Sequence, residues 1–128
     1  MIVVDASALL AVFFREPERE RFIEAMRRAA ARQMSPVNFW EAFVRVRAAD
    51  GPKGAAELDV MLANLAIEIV PIDEMGARLA VDAFARYGKR TPANLNLGDC
   101  FAYALAKQRN APLLYKGDDF AQTDIVAA

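Results

Sequence analysis

The chain opens on four apolar residues, Met1-Ile2-Val3-Val4, before its first charge at Asp5. A short β-branched run without polar alternation predicts a strand covered on both faces. Ala8 to Phe14 is a second apolar stretch, and Ser7 ahead of it predicts a helix N-cap. Glu16-Pro17-Glu18 predicts a further helix reaching about Arg32, with acids first and bases last, as the helix dipole favours. Ser35-Pro36 predicts another, with Ser as cap and Pro at the first helical position, stopped by Gly51-Pro52. The pattern continues with a helix from about Gly54 to Leu65, a strand over Ile67 to Ile72, and a helix from Asp73-Glu74 to about Tyr87. A polar loop spans Gly88 to Asn96, followed by a helix from Leu97 to Arg109 and a strand over Pro112 to Tyr115. A short Ile125-Val126 strand is expected to close the chain.

Short apolar strands alternating with helices imply an α/β fold, a three-layer α/β/α sandwich around a mostly parallel central sheet. Residues 1–128 form one domain in this reading, with no linker, repeat or low-complexity tract between the elements. Ligand sites of such folds lie beyond the carboxyl ends of the strands, near a topological switch point. The residues following each strand are therefore the ones to inspect for chemistry.

Composition narrows that chemistry. Hydrophobic residues make up 55% of the chain, enough for a core without metal or disulfide staples. Sixteen Lys and Arg against 17 Asp and Glu leave a formal net charge of −1, so any contact with a polyanion depends on a local patch. The chain has no histidine and one cysteine, Cys100. Ser-His-Asp and Cys-His catalysis, histidine metal sites and an internal disulfide are thereby excluded. Met1 to Phe14 carries Asp5 and no basic leader, and its longest apolar run, Ala8 to Phe14, is far short of the roughly 20 residues that span a bilayer. The expected location is the cytoplasm, with no membrane partner.

Carboxylates remain. Asp5 follows the first strand, a functional address in this fold and equally an ordinary helix N-cap. On a helical wheel Val37, Trp40, Val44 and Ala48 form one apolar arc, and Glu41 falls inside it. A carboxylate aimed at a core costs several kcal/mol unless paired or metal-bound; the plainer alternative is a solvated position at the edge of the stripe. Asp99 is a lone charge ahead of an apolar turn and a half, functional or a dipole-compensating residue. Asp118 and Asp119 follow the last long strand through Lys116-Gly117, at a second strand end or in a simple polar turn. Carboxylates converging on one sheet edge repel one another, and all-oxygen ligands favour Mg²⁺ or Mn²⁺ as the compensating charge. Arg45, Arg47, Arg86, Lys89, Arg90 and Lys116 are candidates for steering phosphates, with the Arg86 to Arg90 group favoured. Cys100, Trp40, Phe13, Phe14, Phe22, Phe39, Phe43, Phe84 and Phe101 read as core.

Four ordered motifs, Ile2-Val3-Val4-Asp5-Ala6-Ser7, Asn38-Phe39-Trp40-Glu41, Leu97-Gly98-Asp99-Cys100 and Tyr115-Lys116-Gly117-Asp118-Asp119-Phe120, resemble those of PIN-domain ribonucleases. Among these they are similar to the VapC toxins of bacterial type II toxin–antitoxin pairs, over essentially the whole chain. The resemblance implies a PIN-like sandwich and a Mg²⁺- or Mn²⁺-dependent endoribonuclease that hydrolyses RNA, a tRNA for instance, with a metal-activated water. It implies that Asp5, Glu41 and Asp99 are catalytic metal ligands, that Ser7 supports Asp5, and that Asp118 or Asp119 is a fourth acid. It also implies a cognate antitoxin and a toxin homodimer. A phosphorylatable receiver-like signalling domain and a catalytically dead PIN interaction module are the competing readings. A dehalogenase-type phosphatase is disfavoured because Ser7 stands where a second Asp is needed.

Overall fold

Residues 1–128 are described by a computed structural model. The first strand, β1 (Ile2–Val4), is buried along its whole length, as its unbroken apolar run requires. α1 (Ala6–Phe13) and α2 (Arg19–Arg28) follow, then β2 (Arg32–Met34), the long α3 (Pro36–Asn64) and β3 (Ile67–Ile69). α4 (Glu74–Tyr87), α5 (Leu97–Arg109), β4 (Leu113–Leu114) and a 3₁₀ turn (Asp119–Gln122) complete the chain. The four strands form one parallel sheet in the order β3-β2-β1-β4. No helix is long and apolar enough to cross a membrane.

Alternation along the strands divides the interior into two cores. Ile2, Val4, Met34, Ile67 and Leu114 point to one face and pack with α1, α2 and α3. Val3 and Leu113 point to the other and pack with α4 and α5. This is the expected three-layer arrangement. The chain builds outward from β1 to β2 to β3, then returns to the opposite side of β1 with β4. The switch point therefore lies between β1 and β4, where a ligand crevice is expected. A receiver-type order would place β3 against β1; here β3 is the outer strand beside β2, and the receiver reading fails on topology.

Several local expectations are corrected. Asp5, not Ser7, caps α1: its carboxylate accepts the Ser7 backbone N–H at 3.0 Å. α2 ends at Arg28, and Arg32 belongs to a strand that only pairing on both sides reveals. The Arg32 guanidinium turns back to donate to the carbonyls of Met26 and Ala29, closing the end of α2. The break expected at Gly51-Pro52 is present: Gly51 sits at φ 67° and ψ −162°, outside helical geometry, and divides α3 into two helical segments across a kink. β3 stops at Ile69. At the C-terminus a single parallel bridge joins Ala127 to Leu113 where a strand over Ile125-Val126 was expected.

Trp40, Phe14 and Phe84 are not core residues: all three are exposed. The face of α3 that enters the core carries Asn38, Ala42 and Val46. The apolar arc through Val37, Trp40, Val44 and Ala48 faces away from it, with Trp40, Val44 and Ala48 exposed.

Candidate active site

A cleft of about 340 Å³ opens beyond the ends of β1 and β4. Asp5, Glu41, Asp99 and Asp119 line it, each delivered by a different segment. β1 runs directly into Asp5, which is 4% exposed. Its Oδ2 accepts from the Ser7 hydroxyl at 2.6 Å, and that hydroxyl in turn accepts the Lys116 backbone N–H at 3.0 Å. Ser7 thus ties Asp5 to the loop after β4.

Asp99 serves in a capping box. Its Oδ2 accepts the Asn96 N–H at 3.0 Å, while the Asn96 side chain accepts the Asp99 N–H at 2.9 Å. For both Asp5 and Asp99 the helix-cap reading holds and leaves the functional one open, because one carboxylate oxygen caps while the side chain lines the cleft.

Asn38 joins the acids and carries more than the sequence indicated. Fully buried, it donates through Nδ2 to Glu41 Oε1 at 3.0 Å, to the Gly98 carbonyl at 3.0 Å and, more weakly, to Asp5 Oδ1 at 3.4 Å. β1, α3 and α5 are tied through this one amide. The sequence signal was its place at the head of the Asn38-Phe39-Trp40-Glu41 motif, one turn before Glu41. Gly98 matters for a steric reason: a Cβ there would overlap the Glu41 carboxylate. Glu41 therefore lies directly against the first turn of α5.

Electrostatics match the geometry. Burial pushes Asp5 up to about 6, against opposition from the Ser7 hydrogen bonds and with reinforcement from the Glu41 charge. Burial also pushes Asp99 up to about 6, opposed by the Asn96 N–H and reinforced by the charges of Asp5 and Asp119. Glu41 is raised chiefly by burial; the Asn38 hydrogen bond and Arg45 oppose the rise, and the Asp99 charge adds to it. Burial raises the Cys100 thiol to about 11, so beside this cluster it is an inert apolar group.

The remaining candidates separate. Asp119 faces the cleft, whereas Asp118 lies outside its lining. Lys116 turns away to pair with Glu16 at 3.0 Å and Glu18 at 3.5 Å. Arg86 is engaged by Tyr87 and by Asp124 at 3.9 Å. Lys89 and Arg90 are exposed and do not line the cleft. Arg45, one helical turn beyond Glu41, is the cation that does.

The donor set is suited to a hard divalent cation. Every candidate ligand is a carboxylate oxygen, and mutual repulsion plus burial keeps their charged forms short of compensation. No three of the acids stand close enough together here to form a metal-holding group by themselves. A cation in the cleft would therefore rest on one or two carboxylates at a time, with water and substrate oxygens completing its shell, a mode open to Mg²⁺.

A four-strand parallel sheet with an acid cleft at its switch point defines the class. The PIN domain model matches residues 2–126, and the chain belongs to the PIN-domain family. It is 42% identical over 125 residues to Ribonuclease VapC30 of Mycobacterium tuberculosis, covering 97% of this chain and 95% of that protein. Two solved structures share the fold. The M. tuberculosis toxin VapC20, described as cleaving the sarcin–ricin loop, superposes with a TM-score of 0.80 at 13% identity, over 100% of this chain and 98% of that one. A toxin–antitoxin complex from Klebsiella pneumoniae gives 0.76 at 19% identity, over 100% and 97%.

Proposed function

We propose that this chain is a divalent-metal-dependent endoribonuclease, the toxin of a bacterial toxin–antitoxin pair acting in the cytoplasm. The observation that carries the reading is the convergence of Asp5, Glu41 and Asp99 on one cleft at the switch point. The identity to a named VapC ribonuclease supports RNA as the substrate, and tRNA is the class to test first.

Asp5, Glu41 and Asp99 would hold Mg²⁺ or Mn²⁺, with Asp119 at the mouth of the site. When bound, the cation supplies charge neutralisation at the phosphate and lowers the pKa of water. Ser7 and Asn38 fix the orientations of Asp5 and Glu41 through the hydrogen bonds already described. Arg45 offsets part of the acidic charge, which would otherwise repel a phosphodiester. Hydrolysis by water predicts products with a 5′-phosphate and a 3′-hydroxyl. Two partners complete the proposal: an antitoxin, supported by the fold shared with the K. pneumoniae complex, and a second copy of this chain. The exposed Val81, Phe84 and Leu97 form an apolar face between α4 and α5 that supports self-association.

The test is induction of wild type and Asp99→Asn in a bacterial host, with sequencing of RNA 5′ ends. Growth arrest by wild type alone, with new 5′ ends at defined sites, is the expected result. Equal arrest by both proteins, or a 2′,3′-cyclic phosphate product, would remove the hydrolytic reading. Absence of cleavage in vitro with Mg²⁺ and with Mn²⁺ would leave an interaction module.

A further inference from the structure

Trp40 is 64% exposed at the lip of the acid cleft. Its position has no use inside the molecule. The core takes the Asn38, Ala42 and Val46 face of α3 and leaves the apolar arc of Trp40 and Val44 outside. No aromatic ring of the chain pairs with the indole, and no cation stacks on it. Val44, one turn further along, is 44% exposed. With Leu10 these two side chains give the cleft an apolar wall beside its acids, and Arg45 adds a positive charge next to that wall.

A metal-holding acid cluster engages only the phosphate of a nucleic acid. It leaves the flanking bases without contact, and a base offers a flat π-face. An exposed tryptophan beside an arginine, on the rim of a phosphodiester-sized cleft, complements such a face. Aromatic stacking of this kind is tolerant of sequence and requires an unpaired base. Resting on the ribonuclease reading above, we propose that Trp40, backed by Val44 and flanked by Arg45, is a nucleobase-stacking subsite that holds an unpaired base beside the scissile phosphate. It selects single-stranded or looped RNA over duplex, because a base inside a helix cannot reach the indole.

The chain has one tryptophan, so fluorescence excited on the red edge of its band, where the three tyrosines do not absorb, reports on this subsite alone. Asp99→Asn protein in Mg²⁺ is titrated with a mixed-sequence single-stranded 12-mer RNA, with the same RNA annealed as a duplex, and with an abasic ribose-phosphate oligomer of equal length. Fluorescence anisotropy of a labelled end reports binding independently. The expected result is quenching by the single strand and little change with the other two at equal occupancy. In the wild-type background, Trp40→Ala should raise KM for RNA cleavage roughly tenfold or more with kcat little changed, the scale of one lost base stack. Trp40→Phe should recover much of the loss. Equal quenching by the abasic oligomer would overturn the proposal. So would an unchanged KM in a Trp40→Ala protein that melts like wild type, or a spectrum that shifts with protein concentration before RNA is added, which would assign the wall to a second copy. Cleavage by wild type with a silent Trp40 sinks the subsite and leaves the ribonuclease reading intact. Quenching by single strands without any cleavage keeps the subsite and sinks the hydrolytic reading.

Discussion

At the scale of single residues, the site places like charges together and restrains them with neutral donors. Asp5 has a direct consequence for stability. Its native carboxyl holds a proton up to about pH 6, whereas the model-peptide value of 3.8 describes the unfolded chain. Between those values the folded state binds more protons, so this group's contribution falls as pH rises through the window. Without metal, Asp5→Asn should therefore be more stable than wild type above pH 6, by on the order of 1–3 kcal/mol. The advantage should vanish below about pH 4, as denaturant titrations at the two pH values will read. Asn38→Asp adds a buried charge between Asp5 and Glu41 and should cost several kcal/mol. Gly98→Ala should push the Glu41 carboxylate off α5. Loss of Mg²⁺ affinity exceeding the change in melting temperature is the signature expected in calorimetric titration.

At the scale of elements, the caps and breaks were legible and the short strand was not. Ser35-Pro36 and Asp73 start helices as their chemistry dictates. Gly51 interrupts α3 because its backbone lies in a region that only glycine occupies readily. Gly51→Ala should cost about 1–3 kcal/mol in urea unfolding, since nothing crowds the position and backbone strain alone acts. β2 escaped notice because Arg32-Gln33-Met34 has one buried residue and no periodicity. Its strand conformation comes from hydrogen bonding between β1 and β3. Glu41 stands within its apolar arc as the wheel has it, yet that arc turns away from the core, with Trp40 and Val44 lining the cleft. A wheel gives the relative directions of side chains; what lies opposite each direction is set by the packing of α1 and α5 against α3.

At the scale of the whole molecule, the parallel sheet converts separated acids into one site. A cation that binds the native cleft and not the unfolded chain should raise the melting temperature in proportion to ligand excess. The Mg²⁺-induced rise in melting temperature should be clear at pH 7.5 and small at pH 5, where Asp5 and Asp99 carry protons in the metal-free state. A rise of the same size at both pH values would place the cation elsewhere on the surface.

The sequence by itself determined the α/β class, most helix starts and the identity of three cleft acids. Apolar runs, capping chemistry and charge inside apolar surroundings are local properties that composition and spacing carry. Tertiary structure decided the rest. It selected Asp119 over Asp118 as the acid that faces the cleft. It turned Lys116 and Arg86 to other partners, and left Arg45 facing the acids. It made Asn38 the tie between three elements. Each of these depends on distances between segments far apart in the chain, which become fixed only when β4 returns to the side of β1 and α5 packs on α3.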